Sequence, residues 1–103
     1  MIRIKEPKKR TPEGSVLQAV KQYLQLKGYY VIRILQGLGC HKGISDIISI
    51  KDGKVLFIEV KTTNSNRSKQ SPYQAEFQRE IEAHGGTYLL VRSVEDLIYE
   101  RSM

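Results

Sequence analysis

Asp46, Glu59 and Lys61 are the residues of this chain whose types and spacing could do chemistry. Two β-branched, apolar runs lie between them, flanking Asp52-Gly53. That dipeptide tolerates the positive φ angles of a type I′ hairpin turn. In an antiparallel hairpin the start of one strand lies beside the end of the other. Folding at Asp52-Gly53 therefore brings two carboxylates and an ammonium to one end of a sheet. Side chains alternate along the second strand, so Leu56, Ile58 and Val60 share one face while Val55, Phe57, Glu59 and Lys61 share the other. Both faces begin apolar, the mark of a strand covered on both sides. Glu59 and Lys61 continue a covered face, where an unpaired charge is costly. A strand emerging into water at residue 59 would also account for these two charges. The third charge, delivered to the same place by the turn, favours a site.

The remaining elements must hold that hairpin end. Thr11-Pro12 opens a helix, with Thr11 as N-cap and Pro12 at the first helical position. Val16, Leu17, Val20, Tyr23 and Leu24 form its apolar stripe, and Gly28 ends it. Glu13 falls in line with Leu17, Val20 and Leu24, so it projects from the core-facing stripe at the N-terminal end. An acid in the first turn also complements the helix dipole, and both readings stand. Tyr29-Tyr30-Val31-Ile32-Arg33-Ile34-Leu35 reads as a strand running into a glycine-rich loop over 36–43. The loop lacks the Gly-Lys-Ser/Thr ending of a phosphate-binding P-loop. His41 could be a ligand or base, yet a lone loop histidine is commonly solvated, and His84 is the only other histidine.

Residues 62–70 are polar, basic and free of acids, and read as a mobile loop beside the acidic cluster. Ser71-Pro72 opens a second helix with Tyr73, Phe77, Ile81 and His84 on its stripe and Gly85-Gly86 at its end. Ser71-x-x-Gln74 is a capping box, although Gln74 could equally face the strand end that carries Glu59. Thr87 to Val91 is a fourth strand, and Ser93-x-x-Asp96 starts a last short helix through Val94, Leu97 and Ile98. The element order is α-β-β-β-α-β-α, preceded by a basic arm over residues 1–10 that carries Lys8, Lys9 and Arg10.

Composition bounds what such a chain can be. With 103 residues it is one domain with one modest core. The net charge of +6 at pH 7 favours a polyanionic partner such as nucleic acid. Cys40 is the single cysteine, which excludes an intramolecular disulfide and a multi-cysteine zinc site. No apolar run suits a signal peptide or a membrane span, so a cytoplasmic location is expected (host cytoplasm if the chain is viral).

Asp46, a hairpin and Glu59-Val60-Lys61 together resemble the Asp…(Asp/Glu)-x-Lys core of the PD-(D/E)xK nuclease superfamily. The wider pattern resembles one branch, the VRR-NUC domain. That branch shows an early helical Glu (Glu13), a Gly-x-x-Asp-Ile-Ile run (Gly43 to Ile48) and an Ile-Glu-Val-Lys strand (Ile58 to Lys61). It also shows a Ser-Pro-x-Gln helix start (Ser71 to Gln74), then Gly85-Gly86 before a strand ending here in Val91-Arg92-Ser93. Ser45 stands where a proline often precedes the Asp, and Ser93 replaces the second Arg of the motif. The match covers roughly residues 11–100, as in stand-alone phage nuclease domains.

The resemblance implies an α/β fold with a restriction-endonuclease-like core, a central mixed four-stranded sheet flanked by helices, in one domain over 11–103. It implies a metal-dependent DNA endonuclease using Mg²⁺ or Mn²⁺, acting on branched DNA and on Holliday junctions in particular. Asp46 and Glu59 would ligate the metal with the Val60 carbonyl, and Lys61 would orient the water or steady developing charge. Glu13 would complete the shell or favour a second metal, and Gln74 would position the water or the scissile phosphate. Lys42, Arg67, Lys69 and Arg92 are the candidate DNA-contacting cations. Paired cleavage of a junction needs two sites, so a homodimer is expected. The alternatives are a flap, nick or duplex endonuclease of the same fold, or a non-catalytic nucleic-acid-binding module.

Overall fold

The computed structural model describes residues 12–62 and 69–100. The basic arm, the Thr11 cap and Arg67 lie outside the described residues. Helix α1 spans Pro12–Leu26, followed by strands β1 (Tyr30–Arg33), β2 (Ile47–Lys51) and β3 (Lys54–Val60). Helix α2 (Pro72–Ala83), strand β4 (Thr87–Val91) and helix α3 (Val94–Ile98) complete the chain. The element order is the expected one.

The four strands form one mixed sheet in the order β1-β2-β3-β4. β1 pairs antiparallel with β2 and β2 with β3, whereas β4 joins β3 in parallel. A parallel neighbour needs a crossover, and α2 provides it. The β2–β3 turn has Asp52 at φ 52° and Gly53 at φ 79°, the two left-handed central positions that a type I′ turn requires. This turn sets Ile47 opposite Ile58, and so sets Asp46 beside Glu59 one step further along.

Strand alternation divides the molecule into two unequal faces. Leu56, Ile58 and Val60 join Ile47, Leu89 and Val91 in a sealed core beneath Leu17, Val20 and Leu24 of α1 and Leu97 of α3. The opposite face carries α2, which meets the sheet through Phe77. Its ring lies edge-on to Phe57 and Tyr88, at centroid distances of 5.7 and 6.2 Å. Tyr73 and His84, expected on the buried stripe of α2, are instead exposed. The reason is geometric: only the middle turn of α2 has aromatic side chains of the sheet beneath it. Val55 and Phe57 are correspondingly only half-buried, so the second face is partly covered rather than sealed. The β1 strand is also shorter than the expected 29–35. Its ladder ends at Arg33, though the Ile34 amide still donates to the Asp46 carbonyl at 2.9 Å.

Candidate active site

The open end of the β2–β3 hairpin faces a cleft of about 360 Å³ lined by Glu13, Arg33, Gln36, Asp46, Glu59, Lys61 and Gln74. Asp46 is anchored on both sides. Its backbone carbonyl is held by the Ile34 amide just past β1, while its Oδ2 accepts the Val60 amide at 2.9 Å. The carboxylate thus takes the place of a strand partner where the β2–β3 ladder stops. The other oxygen, Oδ1, accepts from Gln36 Nε2 at 3.4 Å, and the same amide donates to the Ile44 carbonyl at 3.2 Å.

Glu59 is 1 % exposed. Its Oε1 accepts from Gln74 Nε2 at 2.8 Å, with Lys61 Nζ at 3.9 Å. Its Oε2 is buried with no hydrogen-bond partner. Burial, then the charge of the neighbouring Asp46 carboxylate and the hydrogen bond that Asp46 accepts from the protonated form, push the Glu59 carboxyl up to about 9, against a smaller downward pull from Lys61. Glu13 adds a further upward push across the cleft. Two acids beside each other in a poorly solvated place favour the neutral form of one of them.

This donor set suits a hard divalent cation. Asp46 and Glu59 supply carboxylate oxygens, and the orphaned Oε2 of Glu59 is a lone pair awaiting a partner. The Val60 amide points to the Asp46 side and that of Lys61 to Val91 on β4. The Val60 carbonyl lies on the same strand edge as its own amide, so it also faces the Asp46 side. Among the described residues no three His, Cys, Asp or Glu side chains cluster closely enough to hold a metal. Glu13 therefore lines the cleft without joining a three-acid cage. Mg²⁺ commonly sits on one or two carboxylates and keeps several waters, so the set fits.

The remaining expected residues fall in different places. Gln74 fulfils both readings of its position at once. Its Oε1 accepts from the Ser71 amide at 2.9 Å while its Nε2 holds Glu59. Arg92 lies off the cleft wall, its Nη1 donating to the Thr62 carbonyl at 3.3 Å just after Lys61. Lys42 Nζ sits 5.0 Å over the Tyr73 ring, and Lys69 is exposed. The His41 ring packs 5.7 Å from Phe77 on the α2 side, and Cys40 is a half-buried free thiol. Sequence reasoning missed Arg33 and Gln36. Pairing β1 against β2 could have pointed to Arg33, which sits opposite Ile47. Nothing in the sequence signals Gln36, whose reach depends on the path of its loop.

This sheet and cleft define a nuclease of the PD-(D/E)xK class. A solved structure described as a VRR_NUC domain superposes with a TM-score of 0.73 at 25% identity, covering 86% of this chain and 92% of that one. The sequence model described as archaeal Holliday junction resolvase (Hjc) matches residues 14–99. The chain belongs to that family. No curated protein matches it in sequence.

Proposed function

We propose that the chain is a divalent-cation-dependent endonuclease that hydrolyses phosphodiester bonds in branched DNA, four-way junctions above all. The observation that carries this reading is the buried, partnerless Oε2 of Glu59 beside Asp46 at the mouth of a basic protein's cleft. The family's description as junction resolvases supports the choice of substrate.

In this reading Asp46, Glu59 and the Val60 carbonyl would hold Mg²⁺ or Mn²⁺, which would supply charge neutralisation and lower the pKa of a bound water. Glu59 would have to give up its proton to serve as a ligand, so cation affinity should rise with pH. Lys61 lends its ammonium to the negative charge that builds on the phosphate. Glu13 acts through water from the cleft wall. Gln74, engaged at both ends of its amide, is a positioning residue for Glu59. Lys42, Lys69 and Arg67 contact the DNA backbone, and Arg92 steadies the chain after Lys61 as well as adding positive potential. Residues 11–103 form the catalytic unit.

We further propose that two copies act together, because resolving a junction requires two cuts. Tyr30, Ile32 and Ile50 support a self-association surface: they are exposed on the α2 face of β1 and β2, beyond the helix.

The test is a panel of labelled four-way junctions, flaps, nicked duplex and plain duplex with Mg²⁺ or Mn²⁺. Junction cleavage that stops with chelator, and in Asp46→Asn and Lys61→Ala proteins that still bind, is the expected result. Binding without cutting would replace the enzyme by a binding module. A preference for flaps, nicks or duplex would replace the substrate.

A further inference from the structure

The loop between β1 and β2 presents two large apolar side chains to water beside the cleft. Leu35 is 84 % exposed and Leu38 fully exposed, although both belong to a residue type normally buried. They flank Gln36-Gly37, and Gly39 follows at φ 86° with nothing within 4 Å of where a Cβ would stand. The backbone at this tip is therefore unobstructed. Leu35 lines the same cleft as Asp46, Glu59 and Lys61, and its neighbour Gln36 is hydrogen-bonded to Asp46. Leu35 thus ties this loop to the wall of the cleft, and Leu38 follows three residues further on.

The charges around the tip restrict what can cover it. Between Arg33 and Ser45 the loop itself contains Arg33, His41 and Lys42 and no acid, and the acids nearby are Glu13, Asp46 and Glu59 inside the cleft that Leu35 lines. A second copy seated tip to tip would bring two such acid-free basic loops together, whereas self-association through Tyr30, Ile32 and Ile50 would not. A polyanion would not meet that repulsion. A polyanion that also offers apolar surface is DNA whose base steps are open, and Leu is among the side chains that proteins insert between bases. Opening a step costs least where stacking is already interrupted, as at a branch point.

We propose that Leu35 and Leu38 form an apolar wedge that enters the opened base step of branched DNA. The wedge places the strand in the cleft and makes cleavage selective for branches. It rests on the nuclease reading above, and it adds the feature of the substrate that the loop reads. Gln36 links the wedge to the cleft by tying the same loop to Asp46.

The experiment uses the full chain with a four-way junction carrying 2-aminopurine at the branch, and a matched duplex as control. Leu35→Ala/Leu38→Ala and Leu38→Met proteins are compared with the wild type. The wild type should raise 2-aminopurine fluorescence at the branch and not in the duplex. The double alanine variant should lose that rise and cut junctions roughly tenfold more slowly. Its thermal unfolding and its sedimentation should be unchanged, because both side chains lie outside the core. The methionine variant should keep the signal and the rate. A double alanine variant with wild-type fluorescence and rate would overturn the wedge while leaving the nuclease intact. A variant that loses self-association in sedimentation would overturn it too, assigning the tip to an interface between copies. A wild-type protein that cuts no DNA would instead remove the nuclease reading on which the wedge rests.

Discussion

On one face of β3, Leu56, Ile58 and Val60 are sealed between neighbouring strands and beneath α1. On the other face Val55 and Phe57 are half-buried, and Glu59 and Lys61 close the strand inside a polar cleft. The two faces are built from alternate residues of the same seven-residue strand. Stability is concentrated on the first, where apolar surface is removed from water and the buried hydroxyl of Ser49, opposite Leu56, is the uncharged polar exception. The second holds an acid nine-tenths or more buried with one oxygen unpartnered, an arrangement that costs stability rather than adding it. A small domain can accept that cost because the opposite face is complete. The strand therefore couples a rigid support to a group kept in an uncomfortable state, which is what a preorganised site requires.

Neighbouring residues on that strand separate the two roles most sharply. Glu59→Gln and Asp46→Asn should each lower junction cleavage by roughly a thousandfold or more, since each removes a charge from the cation's cage. Glu59→Gln should nevertheless fold, and melt no lower than wild type at pH 8 by circular dichroism. Ile58→Ala, one residue away, should do the reverse. It should lose about 2–5 kcal/mol in urea unfolding while the folded fraction still cuts at the wild-type rate per molecule.

A pH series sharpens the same contrast. Glu59 is raised from 4.5 to about 9, chiefly by burial. Between those two values the folded protein holds one proton more than the unfolded chain, so unfolding releases a proton. Stability of the cation-free protein should therefore fall as pH rises through that window. Differential scanning calorimetry should show the decline in wild type and a flatter profile in Glu59→Gln.

Smaller effects concern the elements that hold the acidic face together. A Cβ on Gly43, at φ 78°, would land on the Tyr73 carbonyl and crowd the Gln74 amide. Gly43→Ala should cost about 2 kcal/mol in urea unfolding and weaken cleavage through a displaced α2. Gln74→Ala should cost about 1 kcal/mol through the lost cap, with a larger effect on cleavage than on melting.

The sequence made the hairpin and its cargo legible because they depend on local rules. Asp52-Gly53 sets the turn, alternation sets the faces, and together they bring Asp46 to Glu59. The sealed face was legible for the same reason, since Leu56, Ile58, Val60 and the α1 stripe share clear periodicities. The extent of cover on the other face was not. Periodicity shows that Tyr73 and His84 align with Phe77, but not how much sheet lies beneath α2. Arg33 and Gln36 were hidden because their positions depend on the β1 register and on an irregular loop. Gln74 was half legible: its spacing from Ser71 announced a cap, and only the packing of α2 showed that the other end of the amide reaches Glu59.

That amide has a spectroscopic consequence. Its oxygen accepts from the Ser71 N–H and its nitrogen donates to Glu59, so neither end can shift without disturbing the other. A cation that draws Glu59 away from Gln74 should loosen the first turn of α2 and speed deuterium uptake at the Ser71 amide. One exchangeable hydrogen at a helix start would then act as a built-in gauge of loading, readable by NMR with no DNA present.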